Sequence, residues 1–379
     1  MSLDFTLDPA LAYLNHGSFG ACPAAILEHQ RRLRAELERS PIETLYRRFE
    51  ARHDEVLARV AAFVGARAAD LAFVPNASAG VNTVLRSFPF EVGDRILVTD
   101  HAYAACKNAV DFVAARHGLE VDVAAVPFPL AGPEPILEAV ERSVRSRTRL
   151  ALLDHVTSPT ALIFPIEALV SSLEARGIAC LVDGAHALGM LPLALDALGA
   201  SFYTANAHKW LCAPKGAAIL HVRADRQPEV RPLVISHGAS SPRTDKSRFE
   251  LEMLWQGTDD PTAWWCVPEV IALVERELGW ARLMERNRAL ARAARDLLID
   301  ALRIAAPCPD SMLGSMAAVP LPETDPRALH LRLFEVHGVE VPVHRFGGRV
   351  LLRVSAQLYN RIEDYERLVR ALAAEGLLR

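Results

Sequence analysis

Nothing in this sequence of 379 residues provides for a membrane span, a secretory leader or a disulfide framework. No uninterrupted apolar stretch approaches the ~20 residues that a bilayer-spanning helix needs. The N-terminus, Met1-Ser-Leu-Asp-Phe-Thr-Leu-Asp8, has no basic region followed by an apolar run, so no signal peptide is expected. The six cysteines (Cys22, Cys106, Cys180, Cys212, Cys266, Cys308) are scattered without paired spacing. In a chain of this length they read as reduced thiols, and a cytoplasmic location is expected. Internal repeats and low-complexity linkers are absent. Acidic and basic side chains nearly balance, 46 against 42, for a net charge of −4. No basic run follows a phosphate backbone, so no nucleic-acid partner is expected. The Arg31, Arg32 and Arg34 group is answered by Glu36 and Glu38 and reads as a solvated helix face. His155, His186, His208 and Asp183 lack the close helical or C-x-x-C spacing of a metal site, so no metal is expected.

What is present is a large apolar content, 51% of residues, enough for a substantial core. The length favours a large domain with a smaller companion. Over the first two thirds, short apolar runs without polar alternation (71–74, 95–99, 121–126, 149–154, 179–183, 201–204 and 217–222) predict strands. Helical periodicity separates several of them, at 104–116, 136–144 and 166–175. This alternation predicts an α/β fold: a mainly parallel seven-stranded sheet with helices on both faces. Short connections between the last strands suggest an antiparallel member at one edge. Beyond residue 255 the texture changes. A long helical stretch, 268–302, leads to strand candidates 315–320, 339–344 and 349–355 and a helix at 362–373, which together predict a smaller α+β C-terminal domain. The stretch 236–260 reads as an ordered loop over a site.

Polar residues cluster just after the carboxyl ends of these strands. Asn76, Ala77 and Ser78 follow the first; His101 and Tyr103 the second; His155 and Thr157 the fourth. Asp183 ends the fifth with His186 just after, and Asn206, His208 and Lys209 follow the sixth. Ligands of open parallel sheets bind at that edge, so these residues should share one crevice. Asn76-Ala-Ser-Ala-Gly80 puts small residues where backbone N–H groups could meet a phosphate at a helix N-terminus, although an ordinary N-cap needs the same residue types. Asp183 sits at a buried strand end and needs a partner; a protonated pyridine nitrogen would supply one, as would capping of the next helix. Lys209 is a candidate Schiff-base former if buried, and an ordinary surface lysine if not. Arg353 lies between Leu352 and Val354 in a strand-like run. Facing the crevice it could grip an α-carboxylate through two parallel hydrogen bonds; facing outward it would be an ordinary alternating residue.

Four motifs carry a resemblance over nearly the whole chain: Asp183-Gly-Ala-His186, Asn206-Ala-His-Lys209-Trp210-Leu-Cys-Ala-Pro-Lys-Gly216, Tyr13-Leu-Asn-His-Gly17 and Gly257-Thr258. Taken in their order along the chain, they resemble the class V aminotransferases, enzymes of pyridoxal phosphate (PLP) fold type I. Asp154-His-Val-Thr-Ser158 and Leu14-Asn-His-Gly-Ser-Phe-Gly20 are most similar to the isopenicillin N epimerase-like branch. The resemblance implies PLP as cofactor, a large PLP-binding domain over 20–255, and a small domain from 1–19 and 256–379. It implies that Lys209 holds PLP and moves the α-proton, that Asp183 keeps the pyridine nitrogen protonated, and that Tyr103 stacks on the ring, with His101 as the substitute. His186 would bond the ring oxygen. Ala77, Ser78, Asn206 and His208 would surround the phosphate, with Thr157 in the same cofactor-binding set and Thr258 reaching across from a second subunit of a homodimer. Asn15 and Arg353 would hold the carboxylate of an amino-acid substrate. Asn206 stands where relatives often carry Ser or Thr.

The implied reaction is epimerisation or C–S lyase chemistry at the α-carbon, with class V transamination as the alternative. A non-catalytic binding protein of the same fold would need neither Lys209 nor Asp183. A persulfide-forming desulfurase needs a cysteine near Arg353, and none follows Cys308. Trp255, Trp264 and Trp265 read as core or interface packing.

Overall fold

Seven runs dominated by Val, Leu, Ile, Phe and Ala form one sheet: β1 (Leu71–Val74), β2 (Arg95–Thr99), β3 (Glu120–Ala124), β4 (Thr148–Asp154), β5 (Ala179–Asp183), β6 (Phe202–Asn206) and β7 (Ala218–Val222). Their order across the sheet is β1-β7-β6-β5-β4-β2-β3. All neighbouring pairs are parallel except those of β7, which runs antiparallel to both β6 and β1. The antiparallel strand expected at an edge is therefore one strand in, with β1 covering it. The computed structural model describes residues 3–378; Met1 and Ser2, at the head of the segment read for a leader, lie outside the described residues, as does Arg379.

The unbroken apolar runs are explained by two-sided burial. Alternate residues of every strand but the edge strand β3, which carries Glu120 and Asp122 and leaves Val123 exposed, enter two cores. Phe73, Leu97, Leu153, Val182 and Tyr203 face one, and Val74, Val98, Leu152, Leu181 and Phe202 face the other. Helices Ala77–Ser87 and Ala104–His117 cover the second face, supplying Val81, Val84 and Leu85, and Val110 and Val113. On the first face lie helices Phe49–Val64, Ile166–Glu174 and Val267–Glu277.

The smaller sheet has the order β9-β10-β8 and is antiparallel throughout, from β8 (Met316–Leu321), β9 (Val343–Phe346) and β10 (Arg349–Ser355). Helices Trp280–Leu302 and Ile362–Ala374 accompany it. The N-terminal segment joins this part of the molecule, since Ala12–Tyr13 pairs in parallel with Val339–Glu340. Three expectations are corrected here. The stretch 268–302 is two helices, because Gly279 takes a left-handed backbone (φ 83°) that ends the first. The strand 339–344 is broken at Val341 and Pro342. The loop 236–260 contains a helix, Arg248–Leu254, whose N-terminus is closed reciprocally by Ser247 and Glu250. Among the described residues, no helix is long and apolar enough to cross a membrane.

Candidate active site

Parallel strands bring their carboxyl ends to one edge, and a cleft of about 380 Å³ opens there. Its wall is drawn from every strand end named above, though without His101, His155 or Thr157: Ala77 and Ser78 after β1, Tyr103 after β2, Asp154 on β4, Asp183 on β5, and Asn206, His208 and Lys209 from β6 onward. Ser18 and Phe19 close it from the N-terminal segment. The convergence follows from topology, since each residue is local to its own strand end.

Lys209 is one of only four lysines in the chain. Lys107 is exposed on its helix, Lys246 is ion-paired with Asp54 and Glu50, and Lys215, also at the cleft, donates to the Gly20 carbonyl. The Lys209 amine instead lies 3.2 Å from His186 Nε2. Burial and the nearby Arg353 cation lower its pKa from 10.5 to about 8, against the raising pull of Asp183, Cys106 and Asp154. Roughly a tenth of this lysine is therefore a neutral nucleophile at pH 7, far more than an ordinary exposed lysine supplies. Its backbone is also held: His16 Nε2 sits 3.0 Å from the Lys209 carbonyl oxygen, and Gly20 passes so close that a Cβ there would lie 2.1 Å from the His208 carbonyl oxygen.

Asp183 is buried and has no cationic side chain paired with it among the described residues. It accepts from the Ala185 N–H at 2.9 Å and from the Cys106 thiol at 3.2 Å. A carboxylate so placed fits a protonated ring nitrogen. Beside it in register stands Asp154, a residue the sequence reading passed over. Burial, and then the Asp183 charge, push the Asp154 pKa well above the usual carboxylate range; its Oδ2 has no hydrogen-bond partner among the described residues.

The phosphate end is built on the helix Ala77–Ser87. Asn76 caps it, accepting from the Ala79 N–H at 2.9 Å, and Asn206 Oδ1 accepts from the Ala77 N–H at 2.8 Å. Asn206 thus spends its oxygen on seating the helix, leaving its amide NH₂ for a ligand. Ser78 keeps its N–H and hydroxyl without a partner among the described residues, and His208 Nδ1 is buried and unpartnered. These donors suit an anion at a helix N-terminus.

Arg353 is 5% exposed. Its Nη1 donates to the carbonyl (2.6 Å) and hydroxyl (3.0 Å) of Ser158, its Nη2 to the Ser18 hydroxyl (3.3 Å), and its Nε has no hydrogen-bond partner among the described residues. The side chain is buried behind Ser18 and Ser158, which line the cleft, and no carboxylate offsets the charge among the described residues. Burial lowers its pKa to about 10.

Four other expected residues stand elsewhere. Thr157 does not line the cleft: its hydroxyl pairs with Thr160 at 2.7 Å and accepts from the Leu162 N–H at 2.9 Å, while Val156 and Ser158 face inward. His101 is fully buried between the Thr160 hydroxyl and the Val126 carbonyl, edge-on to Phe346, so it cannot replace Tyr103 at the ring. Asn15 donates to Glu340 and accepts from Ser18, which places it behind Ser18 and Arg353. Thr258 is exposed on a separate hollow with Trp255 and Trp264, sharing only Pro75 with the cleft of its own chain. Ala185, also inside the cleft, had not been singled out.

A parallel sheet with a half-buried lysine, an unpaired buried aspartate and an anion cradle at one edge defines a PLP enzyme of fold type I. The chain belongs to the aminotransferase class-V family, whose model matches residues 22–368. It is 35% identical to isopenicillin N epimerase of Streptomyces clavuligerus over 97% of this chain and 96% of that protein. It is 30% identical to a probable chloroplastic L-cysteine desulfhydrase of Arabidopsis thaliana over 98% of this chain and 84% of the other. Similar solved folds are the apo cysteine desulfurase of Thermococcus onnurineus NA1 (TM-score 0.83, 19% identity, 99% and 96% of the two chains) and the cystine C–S lyase C-DES in complex with cysteine persulfide (TM-score 0.82, 20% identity, 96% and 97%).

Proposed function

We propose that the cleft binds an α-amino acid through Arg353 and works on its α-carbon through Lys209, in epimerisation or C–S bond cleavage. The observation that carries this reading is the buried Arg353 guanidinium, uncompensated by any carboxylate among the described residues, bonded to Ser18 and Ser158 of the cleft wall and close enough to lower the pKa of the Lys209 amine. An isolated buried charge is costly unless a ligand of opposite sign completes it. Lys209 is the residue that would hold PLP; Asp183 would face its ring nitrogen, and Ser78, His208 and the amide of Asn206 its phosphate. When bound, the cofactor withdraws electron density released at the α-carbon. Lys209 takes and returns the proton there. Tyr103, 46% exposed with its hydroxyl unbonded among the described residues, stands at the cleft as the donor on the opposite side.

The named relatives, an epimerase and a desulfhydrase, favour these two outcomes. A persulfide route has no support in the chain. All six cysteines are buried free thiols, and the one whose sulfur points at the site, Cys106, is committed to Asp183. Reduced thiols throughout also favour a cytoplasmic setting. The Thr258 hollow supports a homodimer in which this loop completes the partner's site, because Val234 there, Ile235 next to it in the chain and Tyr46 in the adjoining hollow are exposed apolar side chains.

Incubation with a panel of L-amino acids and S-substituted cysteines in deuterated water tests the reading. Solvent deuterium at the α-carbon with D-isomer formation identifies an epimerase, and pyruvate with ammonia a lyase. Keto-acid formation alone, or no α-exchange with any amino acid, overturns it.

A further inference from the structure

The indole of Trp210 is fully buried directly after Lys209, and its N–H donates to His186 Nδ1 at 3.2 Å. An indole nitrogen is a donor only, so His186 Nδ1 must carry a lone pair. A neutral imidazole has one proton, which Trp210 thereby confines to Nε2, the atom 3.2 Å from the Lys209 amine. Two donors repel across that gap, so the contact favours the amine that offers its own lone pair. We propose that Trp210 is a positioning residue: by fixing His186 as the Nε2–H tautomer, it shifts Lys209 toward the neutral form that attacks an aldehyde. This extends the reading of Lys209 as the cofactor-holding amine, yet concerns atoms of this chain alone.

Without the indole N–H, the His186 proton could move to Nδ1. Nε2 would then accept from a lysine ammonium, and the protonated form would gain a hydrogen bond. The other groups around the amine do not substitute for the lock. Asp183 from β5, Asp154 from β4 and Cys106 from the helix Ala104–His117 all favour the ammonium. Arg353 from β10 opposes it but touches neither ring nitrogen of His186. His16, His208, Lys215 and Cys212 are further titratable groups near His186 and the Lys209 backbone, the Cys212 N–H donating to the Lys209 carbonyl. His16 is bonded to the Lys209 carbonyl, and Lys215 to Gly20.

The test uses the full-length chain stripped of cofactor, with ¹⁵N-labelled histidine rings, His186 being assigned by the signal lost in His186→Asn. A protonated Nε2 and bare Nδ1 on His186 is the expected pattern. Trp210→Phe keeps an aromatic ring and removes only the donor. In that variant the pH midpoint for condensation with added PLP should rise by about one unit, and condensation at pH 7 should slow about tenfold, the worth of one charge-assisted hydrogen bond. Circular dichroism matching the wild type would confirm that the fold is retained. A proton on His186 Nδ1 in the wild type, which needs no variant to fold, would overturn the proposal. So would an unchanged midpoint in Trp210→Phe. Wild-type protein that never condenses with PLP would instead sink the cofactor role of Lys209 and leave the tautomer result standing.

Discussion

At the scale of single residues the site is a set of buried polar groups, each missing one partner. Among the described residues Asp183 lacks a cation, Arg353 lacks an anion, and Asp154 Oδ2 and His208 Nδ1 lack a hydrogen-bond partner. Asp183→Asn should retain PLP but lower turnover by at least ~100-fold, as loss of one preorganised charge typically does. A variant within a few-fold of wild type in steady-state assays would remove Asp183 from the chemistry. Arg353→Lys should raise KM for the substrate about tenfold or more, while the visible absorption of covalently held cofactor stays unchanged, because an ammonium cannot reproduce the paired guanidinium bonds. With the Lys209 pKa near 8, the amine is protonated as pH falls below that value, so PLP condensation should slow progressively from pH 9 to pH 6. A flat profile would contradict the lowered pKa. Lys209, Asp183 and Arg353 were legible because motif, strand end and apolar neighbours agreed on them. Asp154, Val156 and Ser158 were not, although the period of two, carried past the end of β4, points those three at the cleft and turns His155 and Thr157 away. The motif drew attention to Thr157, whereas the alternation excluded it.

Elements set the distances between these groups. The helix Ala77–Ser87 lies hard against β6 because Gly80 leaves no side chain there; a Cβ would come within 2.2 Å of Thr204 Oγ1. Gly80→Ala should therefore cost about 1–3 kcal/mol of stability through overpacking and weaken PLP binding by displacing Ser78. Chemical denaturation measures the first effect and cofactor titration the second; an unchanged denaturation midpoint would show that the helix yields freely. Strand existence was readable from apolar runs buried on both faces, and ends differed by a residue or two. Three features were harder to read. Leu278-Gly279 carried a helix-stop signal inside an otherwise continuous pattern, with the Gly279 N–H bonded back to Val274. Ser247-Arg-Phe-Glu250 carried a capping box, masked by the Gly, Ser and Pro around it. The placement of β7 between β1 and β6 is a long-range pairing that no local pattern encodes.

For the whole molecule, the parallel sheet and the small antiparallel sheet follow the expected order, while the division into domains rests on packing. The helix Val267–Glu277 packs on Phe49–Val64 of the large body, and the core runs without interruption into β8 and β10. We place the changeover near Gly279 rather than at residue 255. The exposed apolar side chains around Thr258 predict a dimer by sedimentation velocity, with Thr258→Ala keeping the dimer but binding PLP more weakly; a monomer with full PLP affinity would refute the shared site. All of this depends on one covalent attachment, and the chain's four lysines make it simple to read. Borohydride reduction of the PLP-loaded protein, followed by proteolysis and mass spectrometry, should find the pyridoxyl group on Lys209 and none on Lys107, Lys215 or Lys246. A reduced adduct on any of those three, or none at all, would contradict the account.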